Sequence, residues 1–231
     1  MITELENALI KNAADFHPVI KFDAGTDQLV RFDLTEANRG LTAEIVADTA
    51  LFTAYVDARL KNTGAKFGIG GYNENRTIYR RSKLFSGEEE RTLHLGIDIW
   101  GPAGTPVYAA FGGMVHSFAF NNDFGDYGAT IILLHQLETV AFYTLYGHLS
   151  LKDISVLKQG AYITRGEVIG HFGEPNENGN WPPHLHFQVI HDIELKEGDY
   201  PGVCSLSEKA KYLKNCPDPD LILQMMRLAK V

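Results

Sequence analysis

The residues best suited to chemistry sit in the run Trp181-Pro182-Pro183-His184-Leu185-His186-Phe187-Gln188-Val189-Ile190. In a strand, residues two apart face the same side and lie roughly 7 Å apart. One imidazole of His184 and His186 can therefore bind a metal while the other reaches the water that the metal activates. Pro182 and Pro183 cannot sit inside a central strand, so the strand begins at the histidines. A His-x-His pair alone also suits a polar rim, so the remaining ligands must come from elsewhere in the chain.

A second candidate group is Thr92-Leu93-His94-Leu95-Gly96-Ile97-Asp98-Ile99. Zinc accepts both imidazole nitrogen and carboxylate oxygen. In a flat strand His94 and Asp98 would be about 13 Å apart, too far to share an ion. A helix would join them, but Gly96 and the Ile97/Ile99 pair disfavour one. The chain is therefore expected to bend near Leu95-Gly96, with His94 on a loop and Asp98 on the following strand. Gly96 supplies the backbone freedom for the bend. A third group, Leu145-Tyr146-Gly147-His148-Leu149-Ser150, puts His148 at a strand exit, a rim where functional groups collect. His17, His116, His135, His171 and His191 have no motif context and read as structural or surface residues. The glycine-rich segment from Gly68 to Arg76 lacks the G-x-x-x-x-G-K-[ST] spacing and precedes no helix, which argues against a phosphate cradle. It reads as a connector or as a cleft wall, with Tyr72, Arg76 and Tyr146 as possible cleft residues.

Short β-like runs separated by Gly and Pro must position these groups. They fall at 95–99, 106–109, 113–120, 128–135, 139–147, 161–163, 167–172 and 184–191. This pattern predicts a mainly β domain, an antiparallel sandwich or half-barrel, over residues 92–199. Before it, residues 1–91 read as a helical extension and loop. Helices are expected over 1–14 and 43–61, with Thr42 as a cap and Asn62-Thr63-Gly64 as the stop, and a short strand at 28–33. Residues 200–231 read as C-terminal helices at 206–214 and 218–229, with Asp218 and Pro219 at the start of the second.

The 231 residues suffice for one large domain with appendages, and 22 Gly and 9 Pro supply the many turns an all-β core needs. A formal net charge of −8 disfavours nucleic acid and anionic membrane surfaces as partners. No run reaches the length of a membrane span, and the acidic start Met1-Ile2-Thr3-Glu4-Leu5-Glu6 has no leader pattern, so a cytoplasmic protein is expected. Cys204 and Cys216 form no CxxC pair and read as buried free thiols.

Taken together, His-x-x-x-Asp at 94–98, Gly-His at 147–148 and His-x-His at 184–186 resemble the lysostaphin-type zinc metallopeptidases. The family is best known for cutting peptidoglycan cross-links. The framework between the motifs also matches, including Gly104-Thr105-Pro106-Val107-Tyr108-Ala109, Gly112-Gly113-Met114-Val115, and Gly160 and Gly166 before Val168-Ile169-Gly170. The resemblance covers about residues 92–191. It implies an antiparallel β half-barrel, the duplicated hybrid motif. It further implies Zn2+ held by His94, Asp98 and His186, with His148 and His184 as catalytic histidines. The implied activity is hydrolysis of a peptide or amide bond by zinc-bound water. Three protein ligands leave one position open, as in catalytic zinc sites.

The approach from Glu174 to Pro183 departs from the Ser/Thr/Gly-rich approach common in the family, and it is expected to reshape the cleft beside His184. With the cytoplasmic reading, this favours a small soluble peptide or amide, including peptidoglycan-derived ones, over intact wall. The segment also looks like the metallopeptidase-like middle region of large proteins that join a sugar-kinase-like domain to an aminotransferase. Two other classes compete. One is an inactive zinc-binding interaction module, with the N-terminal 90 or so residues lying across the site as a plug. The other is a phosphoryl carrier of the glucose type, which carries a His-x-Gly-x-Asp segment. There it follows the main strands, and His-Leu-His has no counterpart.

Overall fold

The apolar runs assemble into twelve strands, here in a computed structural model that describes residues 2–230. They are β1 (Leu29–Phe32), β2 (Phe67–Gly70), β3 (Arg91–His94), β4 (Ile97–Trp100), β5 (Pro106–Tyr108) and β6 (Gly113–Asn121). They continue as β7 (Gly128–Leu137), β8 (Val140–Leu149), β9 (Tyr162–Ile163), β10 (Val168–His171), β11 (His184–Ile190) and β12 (Val203–Ser205). Eight form one open sheet in the order β1-β2-β4-β11-β8-β7-β6-β9. Only the β1–β2 pair is parallel; the other pairings are antiparallel. Two small two-stranded sheets, β10-β5 and β12-β3, complete the mainly β architecture expected from the sequence.

Strand β11 lies near the middle of the sheet and is buried at all seven positions. Its alternation divides it chemically. Leu185, Phe187 and Val189 enter the main apolar core, while His184, His186 and Gln188 take the other face. Asp98 on β4 pairs directly with His186, and Gly147 on β8 pairs with it from the other side.

The first 91 residues are less purely helical than expected. β1 and β2 belong to the main sheet, and β2 pairs with β4, the strand that carries Asp98. Phe67–Gly70 was expected as a loop because its glycines depress strand propensity. Close packing explains two of them. A Cβ at Gly68 would meet the Phe32 ring at 2.8 Å, and one at Gly70 would meet the Trp100 ring at 2.6 Å.

The helix expected over 43–61 divides into α2 (Ala43–Ala47) and α3 (Thr49–Thr63), after α1 (Glu4–Lys11). Asp48 causes the break: its carboxylate accepts from the backbone N–H of Ala50 and Leu51 and starts a new helix. Gly64, with φ 66°, ends α3 in the left-handed conformation that favours glycine. Phe52 on α3 is 1% exposed and packs edge-on against Trp181, with ring centroids 6.3 Å apart. A side chain buried this fully stabilises by roughly 1.5–3 kcal/mol, and this contact fastens α3 beside the histidine strand. A single helical turn, α4 (Leu151–Ile154), follows β8.

At the C-terminus α5 (Lys209–Asn215) and α6 (Asp220–Leu223) are both shorter than expected. Gln224, at φ 52°, stops α6, and one 3-10 turn at Met226–Leu228 brings Lys230 beside Val30 of β1. Cys204 and Cys216 are buried free thiols. Among the described residues no helix is long and apolar enough to cross a membrane.

His135 shows how this core treats a histidine that has only a structural task. It is 1% exposed, Nδ1–H donates to the Gly112 carbonyl at 3.0 Å, and Nε2 accepts from Thr144 Oγ1 at 2.7 Å. Burial pushes its pKa down from 6.5 to about 4. The unfolded chain therefore binds this proton at a higher pH than the folded chain, and stability rises with pH across that window. Urea unfolding should show the metal-free protein losing stability from pH 7 to pH 5. The His135→Gln variant should lose less, by roughly 2 kcal/mol at pH 5. An unchanged pH slope in that variant would show that His135 is not held neutral.

Candidate metal centre

Three chain segments bring His94, Asp98 and His186 together. His94 is the last residue of β3, not a loop residue as expected, because β12 pairs with it through Val203. The chain then bends at Leu95-Gly96 and enters β4, so that residues four apart meet at 3.3 Å between His94 Nε2 and Asp98 Oδ1. Gly96 is required for space as well as for the bend: a Cβ there would lie 2.5 Å from the His186 ring. His186 Nδ1 stands 3.0 Å from Asp98 Oδ1 and 3.0 Å from His94 Nε2. One donor atom from each of the three residues lies within 4.8 Å of the others, and all three residues are buried.

The partners around this triad determine what it can bind. His94 Nδ1–H donates to the Gly71 carbonyl at 3.1 Å, which leaves Nε2 with a lone pair. His186 Nε2–H donates to Gln188 Oε1 at 2.9 Å, which leaves Nδ1 with a lone pair. Gln188 is oriented in turn by donating from Nε2 to the Pro201 carbonyl at 3.1 Å and toward Cys216 Sγ at 3.4 Å. Two nitrogen lone pairs and a carboxylate oxygen therefore face one another with no proton assigned between them. Such an arrangement is repulsive until a cation enters, and two imidazoles with one carboxylate are a donor set that zinc accepts. The residues fit the ion.

Charge state supports the same fit. Burial, with Arg76 nearby, lowers the His94 pKa to about 4, so the ring is neutral at pH 7. Burial would raise the Asp98 pKa, but His94 and Arg76 beside it more than reverse this and hold it well below its ordinary value. The carboxylate is ionised and the imidazole is free to ligate, as metal binding requires.

His148 and His184 stand beside the triad with ring centroids 4.0 Å apart. In β8, Gly147 and His148 together oppose Thr130 across the sheet, a bulge that re-aims the His148 side chain. His148 has φ 62°, a left-handed conformation that is costly for a residue other than glycine. Backbone bonds hold it there, from its N–H to the Tyr127 carbonyl at 2.8 Å and from Gly173 N–H to its carbonyl at 2.9 Å. Its Nδ1–H donates to the Asn178 carbonyl at 2.8 Å, and His184 Nδ1–H donates to the Pro182 carbonyl at 2.7 Å. Both rings thus keep an Nε2 lone pair. Burial lowers both pKa values, to about 4 for His184 and well below the ordinary value for His148.

The loop before β11 consequently does more than wall the cleft. Asn178 and Pro182 supply the carbonyls that orient the two histidines. Asn178 is fixed by side-chain bonds to the carbonyls of Gly173 and Trp181, at 3.0 and 3.1 Å. Trp181 is 4% exposed, packed beneath Phe52 and Tyr79, and it also borders the cleft. A cavity of about 120 Å³ opens beside Asp98, His148, His184 and His186. Phe52, Ile78, Tyr79 and Phe85 of the N-terminal segment form one side. That segment walls the cleft and does not fill it as the plug considered above would. Asp126, whose pKa burial raises to about 6, and Asp199, also raised by burial, line the cleft as well.

The five residues picked out by motif are therefore brought together. Of the other suggested cleft residues, Arg76 reaches Asp98. Tyr146 is instead fully buried in the main core, where its hydroxyl accepts from the Ala110 N–H at 3.0 Å. Tyr72 donates to the Cys216 carbonyl and does not border the cavity. Gln188 and Tyr127 were not singled out. Gln188 had a visible signal, being two residues beyond His186 on the same strand face. Tyr127 had none; its hydroxyl comes within 3.4 Å of His186 Nε2 because Gly202 leaves room for it.

An open centre of two imidazoles and one carboxylate, with two further histidines beside it, is the kind of site that hydrolytic zinc enzymes use. Residues 92–197, which carry all five side chains, match the model of Peptidase family M23, so this stretch of the chain is a Peptidase M23 domain. It is 31% identical over 126 residues to the DD-carboxypeptidase/endopeptidase Mpg of Neisseria meningitidis, covering 52% of this chain and 26% of that protein. It is 27% identical over 160 residues to the L-Ala--D-Glu endopeptidase of Bacillus subtilis, covering 67% of this chain and 46% of that one. The chain thus spans less than half the length of these curated relatives. Among solved structures, the catalytic domain of lysostaphin from Staphylococcus simulans aligns at 22% identity and a TM-score of 0.43, over 74% of this chain and 97% of that one.

The His186→Ala variant should lose bound zinc in elemental analysis. Gln188→Leu leaves the three ligands in place but removes the acceptor behind His186, and chelator competition should show zinc affinity about 10–100-fold weaker. Full zinc occupancy in the His186 variant would show that this ring is not a ligand.

Proposed function

We propose that the chain is a zinc-dependent peptidase in which His94, Asp98 and His186 hold the ion and His148 and His184 handle protons. The observation that carries this reading is the convergence of three unprotonated donor atoms beside two neutral imidazoles with inward lone pairs. When bound, zinc supplies Lewis acidity, which acidifies water and polarises a carbonyl. The chain's own residues supply the rest. The Asn178 and Pro182 carbonyls hold the Nδ1 protons of His148 and His184, leaving each Nε2 to accept a proton from water. A ring protonated in this way can pass its proton to the leaving amine or hydrogen-bond the carbonyl oxygen as it gains charge. Trp181 and Tyr79 narrow the cleft and exclude bulk water, which strengthens these interactions.

The names of the relatives direct attention to peptides of the peptidoglycan type. The five site residues here are at most 6% exposed, and the N-terminal segment walls one side of the cleft. That confinement favours a small soluble stem peptide or amide over a cross-link embedded in intact wall. A cytoplasmic location, as read from the sequence, belongs to the same proposal.

Zinc-loaded protein should cleave soluble stem peptides in an assay read by mass spectrometry, with intact sacculi a poor substrate. His148→Ala and His184→Ala should keep their zinc and lose about 10²-fold or more of turnover. Wild-type turnover in either variant would remove that histidine from the mechanism. Efficient lysis of intact sacculi, or fractionation of the native protein outside the cytoplasmic membrane, would return the substrate to the wall.

A further inference from the structure

Among the described residues Arg76 is the one Lys or Arg paired with the triad, and it comes from outside the family-matched region. It is 0% exposed, and its Nη1 donates to Asp98 Oδ2. Its Nε donates to Glu74 Oε2 at 2.7 Å, and Nη1 also approaches the Tyr79 hydroxyl at 3.3 Å. The guanidinium lies 5.8 Å from the centre of the Trp100 ring. Its backbone is tied to the strand that carries His94. Arg76 N–H donates to the Thr92 carbonyl, His94 N–H to the Glu74 carbonyl, and Asn73 N–H to the His94 carbonyl, each at 2.9 Å. Gly70 leaves the space for this side chain, since a Cβ there would lie 2.9 Å from Arg76 Nη2.

A guanidinium so thoroughly enclosed is costly to bury unless it is paired, and here both of its carboxylate partners are present. The consequence for Asp98 is geometric. Oδ2 is taken by Arg76, and Oδ1 is the oxygen that faces His94 Nε2 and His186 Nδ1. A carboxylate can offer a metal one oxygen or two, and the second would use the position a catalytic site keeps open.

We propose that Arg76 is a positioning residue that restricts Asp98 to a single ligating oxygen, Oδ1, and so keeps a coordination position free for water or substrate. This rests on the metal-centre reading above. It assigns part of the centre to the segment before residue 92, which the family match does not cover. Lysine would keep the charge but lose the fork that spans Glu74 and Asp98 together.

The test uses the full chain loaded with Co2+, whose visible absorption weakens as coordination rises from four to five. Arg76→Met should show markedly weaker absorption than the wild type and about 10–100-fold weaker metal binding in chelator competition. Arg76→Lys should fall between the two. Wild-type absorption and affinity in a folded Arg76→Met protein would overturn the proposal. A crystal structure of the zinc-loaded wild type gives a measurement that no variant's folding can affect. Asp98 should reach zinc through Oδ1 alone, with Arg76 still on Oδ2; both oxygens on the metal would overturn the assignment. These readouts need no substrate, so failure to find peptidase activity leaves this test standing. A wild-type protein that takes up no metal would overturn both readings together.

Discussion

Three acceptor atoms must be held about 3 Å apart inside a dry core, and much of the surrounding fold serves that constraint. Mutual repulsion among His94 Nε2, Asp98 Oδ1 and His186 Nδ1 would drive them apart on flexible loops. Here two are on adjacent strands in direct register, and the third ends a strand locked by β12. Each residue is also held from behind, by the Gly71 carbonyl, Arg76 or Gln188. Such partners fix the tautomer and the ring plane of a metal-binding histidine, and they matter nearly as much as the ligands themselves. Glu74, Arg76 and Asp98 together carry a net charge of −1, which a divalent ion held by Asp98 would bring to +1 within that cluster, the sign that stabilises a developing oxyanion.

Two kinds of rigidity meet at the site. The triad is held on regular strands, where backbone ladders set positions closely. His148 depends on a bulge with left-handed φ, and His184, the first residue of β11, follows a Pro-Pro entry. The same loop orients both through the carbonyls of Asn178 and Pro182, so the pair is coupled through residues 178–182. Replacing this loop would therefore remove the acceptors that orient both rings.

Residue spacing made the five site side chains legible because strand alternation and motif order depend on neighbours along the chain. His184, His186 and Gln188 lie on one face for that reason alone. The bend between His94 and Asp98 was legible from Gly96, although the more demanding reason for that glycine, the His186 ring, lies ninety residues away. Arg76 could be suspected only as a cleft residue, since nothing local distinguishes it from Arg80 or Arg81. Its role depends on β2 pairing with β4, a long-range contact that the glycines of Phe67–Gly70 concealed. The break at Asp48 was also hidden, because capping strength had to outweigh a helical run that looked continuous. Tyr146 shows the opposite error, in which a polar tip beside a motif histidine turned out to serve the core.

The pairing of β2 with β4 also bears on how the domain can be handled. Cutting the chain back to residues 92–197 would strip β4 of β2, one of its two neighbours, and uncover the Trp100 face. The strand bearing Asp98 would then present a free row of N–H and C=O groups, an open edge of the kind that templates aggregation. The stretch recognisable by homology is thus smaller than the sheet that covers its edge, and expression boundaries should be drawn ahead of β1.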